Sequence, residues 1–225
     1  MAGFQPPPRV KTALDNRKLN LSTPCPTDPK KKSNLTWGLY TGNPRITVYT
    51  GDAENSKVSA AMDIIVFQSL LNLMKKALTA PAGWKDAVVN SNYTWFNRVK
   101  SATPEVVSKV HVGKDTEGQI WISVTDTKAT KVRFFIGAPD FHSFEHGDGT
   151  PFTKEETSVL CTEAYVNVLE RVTANLFVNA WPEVEADYKK RADEAAAKRE
   201  GSGGGSYSRQ APADKSNVAE GDIPW

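Results

Sequence analysis

Three stretches of this sequence set an aromatic ring and an arginine two or four residues apart: Arg45 with Tyr49, Phe96 with Arg98, and Arg133 with Phe135. Even spacing in a β-strand puts both side chains on one face. Rings offer stacking surfaces to bases, worth about 1–3 kcal/mol each, and cations hold phosphates. Both needs arise together on single-stranded nucleic acid. Because every base has a π face, such a surface binds with little sequence preference.

The strands that carry these pairs are legible from alternation. In Gln119–Thr125, Ile120, Ile122 and Val124 share one face and Trp121 takes the other. In Lys131–Ile136, Val132, Phe134 and Ile136 turn inward, so Lys131, Arg133 and Phe135 turn outward. Ile46 and Val48 oppose Arg45, Thr47 and Tyr49 in the same way. Read as one strand, Asn92–Lys100 puts Tyr93, Trp95 and Val99 on a core face, and Phe96, Arg98 and Lys100 outside. Tyr40 is opposite in parity to Leu39 and Trp37. Trp121 and Tyr40 have no arginine on their own face. Trp37 and Trp95 are expected in the core. The rings could instead be covered by a helix, but buried arginines would then need partners.

Other chemistry is thinly supported. His142 and His146 stand four apart in Asp140–Gly149, with Asp140 and Asp148 beside them. Gly147 and Gly149 make this a loop, packed by Phe141 and Phe144, and its spacing fits no closed metal site. His111 is expected to be an ordinary strand residue. Gly201–Gly205 lacks the strand and Gly-Lys-Ser/Thr order of a phosphate loop. No nucleophile–base–acid arrangement and no cofactor signature emerge, so a non-enzyme is expected.

The final six residues, Glu220-Gly221-Asp222-Ile223-Pro224-Trp225, follow the run Gly201-Ser202-Gly203-Gly204-Gly205-Ser206. That run and the polar stretch after it cannot offset the entropy of ordering. Ile223 and Trp225 are apolar anchors, and Pro224 presets the backbone. Glu220, Asp222 and the terminal carboxylate suit a basic pocket, a known mode of peptide capture. Asp222-Ile223-Pro224-Trp225 resembles the acidic tip of bacterial and phage single-stranded DNA-binding proteins, which also follows a Gly-rich linker. The resemblance covers the last quarter of the chain or less. Here two acids are split by Gly221, where the family carries a run of Asp, and Trp225 stands where Phe is usual. It implies that the tip docks replication and recombination proteins, or competes with DNA for the basic groove.

Charge is unevenly spread. Residues 1–50 carry eight Lys or Arg, including Lys30, Lys31 and Lys32, against two Asp. The tip is acidic. A basic front and an acidic end suit a protein that binds a polyanion. No apolar stretch reaches the length of a membrane span, and Met1–Pro8 has no secretion-signal pattern. Cys25 and Cys161 have no ligand spacing and read as free thiols. The expected compartment is cytoplasm, that of an infected bacterium if a phage encodes the chain.

Four segments result. Residues 1–33, with six prolines, read as an extended basic arm. Residues 34–182 read as an α+β domain, an OB-like curved antiparallel sheet or small barrel. Thr41-Gly42-Asn43-Pro44 and Asp115-Thr116-Glu117-Gly118 are its hairpin turns, with another at Asp126–Ala129. A helix over 56–78 starts at Ser56, with Val58, Met62, Ile65 and Leu73 on its stripe. A long helix over 154–181 carries Glu155 and Glu156 in its first turn. Its apolar stripe is Val159, Tyr165, Val168, Leu169, Val172, Leu176 and Phe177, and Pro182 ends it. Residues 183–200 read as a charged helix, and 201–225 as linker and tip. No internal repeat is visible. The expected activity is binding and protection of single-stranded DNA in replication or recombination, with self-association left open. An adaptor that binds only proteins and a metal-dependent nuclease on the 140–149 loop are the rival readings.

Overall fold

Alternation builds the first sheet. Lys32–Tyr40 (β2) and Asn43–Tyr49 (β3) pair antiparallel, with Tyr40 opposite Asn43 across the expected Gly42 turn. Leu35, Trp37, Leu39, Ile46 and Val48 are buried between them and the rest of the core. Leu21–Pro24 (β1) adds beside β2, and Lys57–Ala61 (β4) beside β3, giving the order β1-β2-β3-β4. The computed structural model describes residues 11–40, 42–52, 57–96, 99–126, 131–180, 186–187, 189–194 and 197, with backbone alone at 40, 95, 96, 99 and 180.

A second sheet has the order β10-β9-β8-β5, all antiparallel. Its strands are Lys85–Asn92 (β5), Glu105–Lys114 (β8), Ile120–Thr125 (β9) and Phe134–Phe135 (β10). Between β5 and β8 stands a finger of two short strands, Trp95–Phe96 (β6) and Val99–Lys100 (β7). Helix α1, Ile64–Thr79, follows the first sheet, and α2, Lys154–Asn175, follows the second. Each half is therefore a four-stranded meander followed by a helix, and β6–β7 is an insertion in the second. The repetition lies in topology and left no repeat in sequence.

The halves share one core. Strand β1 lies beside β10, α1 against α2, and β4 against β8 and β9. Both edges of β8 and of β9 are already paired, so β4 meets their faces. Phe67, Leu70, Leu71, Met74 and Ala77 of α1 are fully buried there, and Phe67 meets Trp37 edge to face at 5.7 Å.

Several expectations change. Val58 belongs to β4, and Met62 directly follows it with its amide bonded to the Pro44 carbonyl at 2.9 Å, so neither lies in a helix that starts at Ser56. A spacing of four satisfies both a strand's period of two and a helix's 3.6, and Ala60, buried at 1 % exposure, settles it as a strand. Ser56 lies outside the described residues; the helix starts at Ile64 behind Asp63. Residues 11–33 are no arm. Leu14, Leu19 and Cys25 are buried, and the backbone oxygen of Leu19 accepts from Tyr165 Oη, which in turn accepts from Trp37 Nε1. Strand β5 was not foreseen: its exposure alternates, but its sequence, Lys85-Asp86-Ala87-Val88-Val89-Asn90-Ser91-Asn92, sets a valine on each face and puts no run of apolar residues on either.

Helix α2 begins as expected, with a capping box between Thr153 and Glu156. Its buried face differs. Ser158, Thr162, Val166, Leu169, Thr173 and Leu176 point inward, while Val168 and Phe177 are exposed. Ser158 explains why a polar residue is buried. Its Oγ donates to the carbonyl of Ile136 at 2.6 Å and accepts from the amide of Ile120 at 2.9 Å, tying α2 to β9 and to the residue that follows β10. The helix ends in a π-helical turn over Leu176–Ala180. The described residues of 183–200 are helical, with Arg191 paired to Asp187 at 2.9 Å. Pro182, residues 127–129 of the expected turn and the whole of 201–225 lie outside the described residues.

Candidate nucleic-acid interface

The outer face of the second sheet is built in rows by its register. Lys85, Gly113, Trp121 and Phe135 stand side by side on β5, β8, β9 and β10. The next row is Ala87, His111 and Ser123, and the third is Val89, Lys109 and Thr125. Two residues before Phe135, Arg133 falls in the second row, and Lys131 in the third. A groove of about 840 Å³ runs over these rows. Lys85, Lys109, Lys131 and Arg133 line it, with Asp126 as the acid among its walls.

Parity set this face as expected. Val132, Phe134 and Ile136 are buried, while Lys131, Arg133 and Phe135 are exposed, Phe135 at 39 %. Trp121 corrects one expectation. It is on the outer face but only 5 % exposed, so its ring is no open stacking surface. One side lies on Gly113, where a Cβ would stand 2.6 Å from Trp121 Cε2, so only glycine admits the ring. The other side is capped by the Arg133 guanidinium, 4.7 Å from the ring centroid. The platform offered to a base is therefore the guanidinium plane stacked on tryptophan; such planes stack bases as rings do.

His111 is a residue of β8, as expected, and stands in the middle of the groove floor. Its Nε2 is 3.2 Å from Thr125 Oγ1, and its Nδ1 is buried with no hydrogen-bond partner. Burial, and then Lys85, Lys109 and Lys131 around it, hold the imidazole below its usual range. Lys109 and His111 were findable: they alternate with Ser108, Val110 and Val112, the rule that found Arg133. Lys85 was not, because β5 was not foreseen.

The remaining site residues fall elsewhere. Arg45 and Tyr49 lie on the outer face of the first sheet, with Tyr49 46 % exposed. They border a hollow of about 110 Å³ with Thr36, Thr47 and Lys57. Tyr40 ends β2, and its side chain is outside the described residues. Lys30, Lys31 and Lys32 are exposed where β1 turns into β2, with Lys31 3.6 Å from Asp28. Phe96 and Lys100 belong to the finger; Arg98 lies outside the described residues, as do the side chains of Phe96 and Trp95. The expectation that Tyr93 and Lys100 face apart was wrong. The segment 92–100 reverses between β6 and β7, so Lys100 Nζ lies 3.7 Å from the centroid of the exposed Tyr93 ring.

The 140–149 segment is a tight loop. His146 donates its amide to Thr150 at 2.8 Å, and Phe152 to Phe144 at 2.9 Å. Phe144 packs on Phe152 as expected, but Phe141 is fully exposed, with φ at 69°. His142 bonds the carbonyl of Asp140, and His146 lies 3.6 Å from Glu156. Among the described residues no three His, Cys, Asp or Glu gather as metal ligands. None of their helices is long and apolar enough to cross a membrane. Cys25 and Cys161 are free thiols. Comparisons with protein-family models, curated proteins and solved structures returned no match for this chain.

Proposed function

We propose that this protein binds single-stranded DNA without catalysing a reaction on it, and serves DNA replication or recombination. The observation that carries this reading is the groove over β5, β8, β9 and β10. Three lysines from three parts of the sheet surround a guanidinium–tryptophan stack, and an exposed phenylalanine stands in the same row as that tryptophan. Phosphates would meet Lys85, Lys109 and Lys131. Bases would stack on Arg133 and Phe135.

Closure of β1 against β10 and of β4 against β8 and β9 supports a curved, barrel-like scaffold of the OB-like kind. Strand order sets a limit on that likeness: an OB-fold is a five-stranded Greek key, and this chain is two meanders. The tip Glu220–Trp225 would recruit partner proteins, on the strength of its sequence alone.

Titration of fluorescein-labelled oligo(dT) with wild type and Phe135→Ala tests the reading. One lost base stack costs about 1–3 kcal/mol, roughly five- to 150-fold in Kd. Equal binding by both proteins refutes the site, and no binding by either refutes the function. A matching RNA oligonucleotide and a Mg²⁺ arm separate RNA binding and nuclease activity from the proposed role.

A further inference from the structure

We infer that the outer face of β1–β4 is a second subsite for the same strand of DNA. A long enough strand would run from the groove across the junction of β1 and β10 to Tyr49, Lys57 and Lys32. The inference rests on the groove being a DNA site.

Three observations carry it. The first is the repeated architecture. In both halves the third strand of the meander presents an aromatic ring outward, Tyr49 on β3 and Trp121 on β9. In both, the cation on that ring comes from the fourth strand or its approach. Lys57 Nζ lies 5.8 Å from the Tyr49 centroid, and Arg133 lies 4.7 Å from that of Trp121. The rings stand at opposite ends of their strands, so the likeness is of strand and face, not of row.

The second observation is the register. Ser22, Asn34, Tyr49 and Lys57 form one outward row across all four strands, and Lys32 is outward two residues before Asn34. Ser22 Oγ and Asn34 Oδ1 are hydrogen-bonded at 2.7 Å, adding polar groups to the path from the β1 edge to the ring. The lysine cluster at the β1–β2 turn thereby lies at the same end of the sheet as Tyr49 and Lys57.

The third is charge. Strands β1 to β4 contain no Asp or Glu in a chain that has 26 of them. A sheet face selected only for solubility mixes signs. Among the described residues, the adjoining turns hold Asp28 and Asp52, and Asp28 pairs with Lys31 at 3.6 Å; Glu54 of the β3–β4 turn lies outside the described residues.

Strand β1 approaches β10, each at the edge of its sheet, and that edge is where a strand of DNA would cross from one outer face to the other. From β9 to β3 by way of β10, β1 and β2 is four strand steps, at least about 19 Å at ~4.8 Å a step. A strand of a few nucleotides therefore fills the groove alone, and only a longer one reaches Tyr49. Single-fold footprints of about 4–16 nucleotides bracket the two cases.

The test is a salt titration of full-length protein with oligo(dT) of about 4 and about 16 nucleotides. The proteins are wild type, Lys32→Ala/Lys57→Ala, Tyr49→Ala and Arg133→Ala. Each phosphate contact contributes about 0.7 to the slope of log K against log salt. The double lysine variant should lower the slope by about 1.4 on the longer oligonucleotide and leave the shorter one unchanged. Tyr49→Ala should weaken only the longer, and Arg133→Ala should weaken both. If the lysine and tyrosine variants bind the longer strand as wild type does while Arg133→Ala weakens it, the second subsite is refuted and the groove stands. If Arg133→Ala alters neither, the groove reading fails and takes the second subsite with it.

Discussion

Removing the Arg133 guanidinium perturbs the candidate site most selectively. Arg133 is exposed and caps Trp121 at 4.7 Å. Its removal costs the fold about 0.5–1 kcal/mol of cation–π attraction at most, a melting shift of ~2–4 °C for a chain of this size. The effect on binding is larger. A stacked base is worth about 1–3 kcal/mol and a phosphate contact about 0.7 in salt slope. Arg133 cannot grip a phosphate and stack a base at full strength in one geometry, so about 2 kcal/mol is the expected loss, near thirtyfold in Kd. The assay is fluorescence anisotropy with oligo(dT) at several salt concentrations, beside a thermal melt. The variant should bind about thirtyfold more weakly at low salt and melt within a few degrees of wild type. Unchanged Kd and unchanged slope would refute the reasoning, since Arg133 is the group that covers Trp121. A large fall in melting temperature would refute it differently, by making Arg133 a structural residue.

Gly113→Ala places a Cβ against Trp121 and 3.0 Å from the carbonyl of Trp84; overpacking should cost about 1–3 kcal/mol, measured by urea unfolding. Ser158→Ala orphans the amide of Ile120 and the carbonyl of Ile136, so about 2–6 kcal/mol should be lost at about 1–3 for each buried group, and a change within 0.5 kcal/mol would remove Ser158 as the tie between α2 and the sheet. The His111 imidazole is held low by burial and three lysines; phosphates that neutralise those lysines raise it, so binding takes up a proton. Affinity for oligo(dT) should then rise as pH falls through the range just below the usual imidazole value, and His111→Gln should flatten that rise. Deleting residues 217–225 should tighten DNA binding if the acidic tip competes for the groove, and gel shifts of both proteins at low salt would show it.

The sequence by itself settled which side of β3, β9 and β10 faces out. Period-two alternation places Ile120, Ile122, Val124, Val132, Phe134 and Ile136 inside, and so places Arg133 and Phe135 outside, whatever the sheet does elsewhere. The Thr153 cap and the Asp115–Gly118 turn are local chemistry and were equally legible. Tertiary structure decided what local pattern leaves degenerate. Val58 and Met62 fit a strand and a helix alike until β3 takes β4 as its partner. Leu14 and Leu19 look like parts of a loose arm until Tyr165, far along the chain, bonds the backbone of Leu19. Parity also cannot tell an open ring from a covered one. Trp121 is on the outer face by sequence, but Gly113 beneath it and Arg133 above it come from two other strands. Burial of a side chain on a sheet face is set by neighbours across the sheet, and those are chosen by register, which no single strand encodes.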